Sequence, residues 1–74
     1  MKENVTRGEY IKLIRRRKKM ALVDVAAFTG VSIATLSRIE QDRPALFDNV
    51  CAVARVLEIP LSVLANFYGR IDHE

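Results

Sequence analysis

The sequence predicts an all-α fold, a compact five-helix bundle built around a helix-turn-helix. Three observations predict it. Apolar residues recur at three- and four-residue spacing along the chain after its first seven residues. No segment keeps strand alternation over a useful length. Gly30, followed by Ser32, places a tight turn and a fresh helix start between two apolar runs.

Residues 1–7 are polar and are expected to be a flexible N-terminus, with the folded domain over 8–68 and a C-terminal tail over 69–74. The first helix is expected over about 8–18. Ile11 and Ile14 form its inner face with Tyr10 and Leu13 beside them, and Thr6 with Glu9 predicts a capping box at its start. The second helix is expected over about 21–29, with Val25, Ala26 and Thr29 inward and Gly30 closing it in the left-handed conformation. The third begins after Ser32, whose hydroxyl can accept an orphan backbone N–H, and runs to near Gln41 with Leu36 and Ile39 inward. A turn at Asp42-Arg43-Pro44 leads to a fourth helix over roughly 46–57, where Val50, Val53, Ala54 and Leu57 fall at i, i+3, i+4 and i+7. Pro60 suits the first turn of a fifth helix over about 60–68, with Leu61 and Leu64 as its inward pair.

Composition narrows the function. With 74 residues the chain makes one small domain of slim stability, without room for a ligand pocket. One cysteine, Cys51, excludes an intrachain disulfide and reads as a half-buried packing residue of the fourth helix. One histidine, His73, leaves no metal cluster or catalytic triad, so neither an enzyme nor a cofactor is expected. No signal peptide or membrane span is visible, and a cytoplasmic setting is expected. Charge is unevenly distributed. Residues 1–20 carry eight Lys/Arg against two Asp/Glu, whereas 21–74 carry four against seven. A basic segment on a neutral-to-acidic body suggests an anionic partner, nucleic acid first, although "RRRKK" can equally be the solvated side of a helix.

The spacing around Gly30 has a geometric logic. A small Ala26 lets the second and third helices cross closely, Gly30 turns sharply, and Val31 plugs the gap. Leu36 and Ile39 anchor the third helix from behind, which leaves positions 33, 34, 37, 38 and 41 on a face fitting the major groove of DNA.

Residues 14–64 resemble the phage repressor and Cro type of helix-turn-helix domain, the XRE-like family with the lambda repressor-like fold. The likeness rests on Ile14-Arg15, on Ala26, Gly30, Val31 and Ser32, on "TLSRIE" (35–40) and on "VARVLEIPLSVL" (53–64), all in one register. The resemblance implies a bacterial or phage-encoded, nucleoid-associated regulator of transcription, a repressor or controller, that puts its third helix into the major groove. It implies a structural ion pair between Arg15 and Glu40. It assigns base reading to Ile33, Ala34, Ser37 and Arg38, with Arg38 the best candidate for guanine because a guanidinium can grip O6 and N7 together. Phosphate contacts are expected from Ser32, Thr35, Gln41 and Arg43, and from Arg7, Arg16 and Lys19. Family members commonly bind palindromic operators as homodimers, and Phe67, Tyr68 and Ile71 are candidates for the dimer contact; Phe67 capping the domain's own core is the alternative.

The chain departs from the pattern at Leu22, where the family usually has a glutamine, and at Val23 and Phe28, where polar residues are common. With Ile33 and Ala34 the expected DNA face is unusually apolar. Either Ile33 and Ala34 contact thymine methyl groups, or the patch is a protein interface, as in an interaction module or antitoxin-like protein that keeps the fold. Leu22 or Phe28 folding back into the core is the milder alternative for either residue.

Overall fold

The structure is a computed structural model that describes residues 5–69, with side chains through Phe67. Five helices follow one another: α1 (Arg7–Arg17), α2 (Leu22–Thr29), α3 (Ile33–Glu40), α4 (Phe47–Val56) and α5 (Leu61–Gly69). Among the described residues there is no strand, and no single helix is long and apolar enough to cross a membrane.

Local chemistry sets the helix starts. The Thr6 hydroxyl accepts from the Glu9 N–H at 3.1 Å, and the Glu9 carboxylate accepts the Thr6 N–H at 3.1 Å, which satisfies two orphan donors. Helix α2 has no hydroxyl at its cap; Asp24 reaches back to the Ala21 N–H at 2.7 Å instead. The Ser32 hydroxyl accepts from the Thr35 N–H at 3.1 Å and starts α3 as expected. Pro60 lies just outside α5 rather than in its first turn, and its carbonyl accepts from Val63 and Leu64.

The helix ends were less legible. Gly30 closes α2 at φ 78°, as expected. Helices α1, α3 and α4 close through Lys19, Asp42 and Glu58, all with φ near 60°. In each, the next residue donates back to a carbonyl five residues earlier: Met20 to Arg15, Arg43 to Arg38 and Ile59 to Ala54. A left-handed Lys or Glu is uncommon, so no sequence signal announced these two closures.

Helix α3 lies on α1 and α2, α2 also lies on α4, and α4 carries α5. The core between them is Ile11, Val25, Val31, Leu36, Ile39, Val50, Val53, Ala54, Leu57, Ile59 and Leu64. Every predicted inward residue of α4 belongs to it. Leu61 does not: it is exposed, and the expected Leu61–Leu64 pair is corrected to Leu64 with Ile59. The backward bond that closes α4 carries Ile59 into the core, so the space at the start of α5 is already filled. Cys51 is half-buried on α4.

Candidate nucleic-acid interface

The site begins at the bend between α2 and α3. The Gly30 N–H donates to the Ala26 carbonyl at 2.8 Å. The Thr29 hydroxyl donates to the Val25 carbonyl at 2.8 Å and accepts the Val31 N–H at 3.0 Å, which ties the turn to the helix it leaves. Val31 is buried, so the expected plug is in place. The two helices meet at 115°, within the range for two helices joined by a short turn to present the second one outward.

Helix α3 is sided as its spacing predicts. Leu36 and Ile39 are buried, while Ile33, Ala34 and Arg38 are exposed and Ser37 is half-buried. The polar groups of the outer face already have partners. The Arg38 Nη2 donates to the Pro44 carbonyl at 3.0 Å, and the Gln41 Nε2 donates to the Ser37 hydroxyl at 2.8 Å. Sequence reasoning missed both engagements, although the four-residue spacing of Ser37 and Gln41 on one helix was the available signal for the second. The Ser32 hydroxyl, besides capping, donates to the Thr35 Oγ1 at 3.0 Å. The N-terminal half of the outer face therefore presents Ile33 and Ala34, and the C-terminal half presents a guanidinium tied to the following loop.

Arg15 stands behind this face. Its Nε donates to the Glu40 Oε2 at 2.6 Å, its Nη2 to the Glu40 Oε1 at 3.0 Å, and its Nη1 to the Met20 carbonyl at 2.8 Å. The two side chains are only 11% and 9% exposed. Donating to the Glu40 carboxylate holds the guanidinium pKa above its ordinary value. Arg15 is thus turned into the fold, as expected, and joins α1 to the last residue of α3. Of the other cations expected to meet phosphate, Arg16, Lys19 and Arg43 are exposed and Arg7 is half-buried.

A family model described as helix-turn-helix matches residues 11–64. The chain belongs to the helix-turn-helix family, of the Cro/C1, XRE-like type. No curated protein and no solved structure matches it. The helix-turn-helix family is one of DNA-binding regulators of transcription. Within this helix-turn-helix domain the residues that depart from the usual pattern separate by burial. Leu22 is half-buried against the core, so its apolar character serves the fold. Phe28 is 73% exposed and Ile33 46% exposed, so both remain on the surface. Phe67 is half-buried, with its ring 5.7 Å from that of Tyr10, which gives it a place within the domain. The Tyr68 side chain and Ile71 lie outside the described residues.

Proposed function

We propose that the chain is a sequence-specific transcriptional regulator of the repressor or controller kind, reading a palindromic operator as a homodimer with α3 in the major groove. The observation that carries this reading is the two-sidedness of α3: Leu36 and Ile39 are sealed in the core while Ile33, Ala34 and Arg38 stand outside it. Ile33 and Ala34 read thymine methyl groups. Arg38 exchanges its single bond to the Pro44 carbonyl for two bonds to a guanine. Ser37 adds a hydroxyl to the same face once Gln41 turns from it to a phosphate. Ser32, Thr35, Arg43, Arg16, Lys19 and Arg7 hold the backbone, and each phosphate cation makes affinity salt-dependent without carrying sequence information.

Two copies on half-sites about 34 Å apart double the contacts made by one small domain. The dimer contact is assigned to α5 with Tyr68 and Ile71, while Phe67, packed against Tyr10 within the domain, supports the helix from inside. Exposed Leu61 on the same helix and Phe47 border one apolar cavity with Leu64 and Ala65, a further apolar feature at α5.

The exposure of Phe28 favours a second reading, in which a partner protein covers Phe28 and Ile33 and DNA binding is weak. Selection from a random duplex pool at two salt concentrations separates the two. The first reading expects a palindromic motif with thymines in each half-site and a steep loss of affinity with salt. Enrichment of no sequence, with affinity indifferent to salt, would favour the second.

A further inference from the structure

Gly8, the second residue of α1, lies against the far end of α3. A Cβ built on Gly8 falls 2.5 Å from the Glu40 carbonyl oxygen and 2.6 Å from that of Ile39. Both atoms are backbone, so no side-chain rotation can make room. The Gly8 N–H donates to the Asp42 Oδ1 at 2.9 Å, across 34 positions of sequence. Asp42 is the left-handed residue that closes α3. The N-terminus of α1, rich in partial positive charge, therefore meets the carbonyl end of α3 and a carboxylate fixed just beyond it.

We infer that Gly8 and Asp42 form a clamp that sets the height and tilt of α3, and are positioning residues for DNA recognition that touch no DNA. The inference rests on the reading of α3 as the recognition helix. A methyl group at position 8 drives the Glu40 carbonyl back by roughly 1 Å before ordinary van der Waals contact returns. Helix α3 is rigid and only about 12 Å long. A displacement at Glu40 thus moves Ile33 and Arg38 by a comparable amount, more than the spread of about 0.5 Å that a good hydrogen bond tolerates. Most contacts to phosphates are assigned to long flexible cations outside α3 (Arg7, Arg16, Lys19 and Arg43), which absorb such a shift.

The test compares the 74-residue chain with its Gly8→Ala, Asp42→Gly and Asp42→Asn variants. Glycine at 42 keeps the left-handed backbone without strain and removes the acceptor together with its charge, whereas asparagine removes the charge alone and keeps an acceptor oxygen. Each protein is titrated with the duplex selected by the wild type and with a random-sequence duplex. Gly8→Ala is expected to weaken the selected duplex by about tenfold or more, as for one lost base contact, and the random duplex by less than about twofold. Asp42→Gly is expected to lower the same ratio, and Asp42→Asn to restore most of it. If Gly8→Ala fails to fold, the Asp42 pair decides. A selectivity ratio unchanged by Asp42→Gly, or equal losses on both duplexes, overturns the clamp. A wild type that selects no duplex overturns the DNA-binding reading instead. In that case backbone amide shifts, measured without DNA, decide: those of Ile33–Arg38 move in Asp42→Gly if the clamp is real, and their constancy overturns it.

Discussion

The two ends of α3 are held in different ways. At its C-terminal end, Glu40 takes two bonds from Arg15, the Ile39 and Glu40 carbonyls abut Gly8, and Asp42 accepts the Gly8 N–H. All of these partners come from α1. At its N-terminal end, the Ser32 hydroxyl bonds only within its own first turn, to Thr35, and Ile33 and Ala34 face outward. One end is fixed by distant sequence and the other is left clear. A helix held in this way can present its free end to a duplex without a change of fold.

Substitutions at the two ends should differ in size. Arg15→Ala leaves the part-buried Glu40 carboxylate without its partner, and the expected cost is about 2 kcal/mol of unfolding free energy, below the range for a broken, fully buried pair. In a domain this small that is a large share of the total, and urea denaturation of the variant measures it. Gly30→Ala acts at the entry to α3. The added methyl meets nothing within 4 Å, so the expected loss of about 1–2 kcal/mol comes from the left-handed backbone alone. Asparagine, which tolerates that conformation better, should cost less than alanine at this position. Ser32→Ala removes one cap and is expected to cost about 1 kcal/mol, leaving the domain folded at room temperature. An Arg15→Ala loss no greater than the Ser32→Ala loss would show that the two ends are held alike.

The smallest effect lies away from both ends. The Lys18 ammonium donates to the Glu58 carboxylate at 2.9 Å on the surface, and this bond holds the Glu58 pKa below its ordinary value. A carboxylate whose folded-state pKa is depressed contributes stability above its unfolded pKa and loses it as the pH falls through the folded value. The contribution is therefore present at neutral pH and gone in strong acid. An NMR titration should find Glu58 low in the wild type and back at the ordinary value in Lys18→Gln. The change in melting temperature should be slight, because the pair is exposed to solvent and salt.

What the sequence showed follows from the range of the interactions. The spacing of Leu36 and Ile39, the closure at Gly30 and the cap at Ser32 are short-range signals, and each is where its chemistry predicts. Leu22 and Phe28 carry the same apolar signal but take opposite positions, one against the core and one exposed, because their helix can bury only one face. Gly8 reads in sequence as a weak residue in the first turn of a helix. Its role depends on a carbonyl 32 positions away, and no local pattern encodes that distance. Arg38 was legible as an outward cation, but its bond to Pro44 depends on the path of the loop after α3.

The most direct test of the central claim, that the outer face of α3 is the surface the domain presents to DNA, is a map of backbone amide shifts as the selected duplex is added to isotope-labelled protein. The largest changes are expected from Ser32 to Arg38, with Ala52 and Val56 of α4, which line one cavity with Phe28, nearly still. Changes concentrated around Phe28, Ala52 and Val56, with Ser32–Arg38 unmoved, would contradict it.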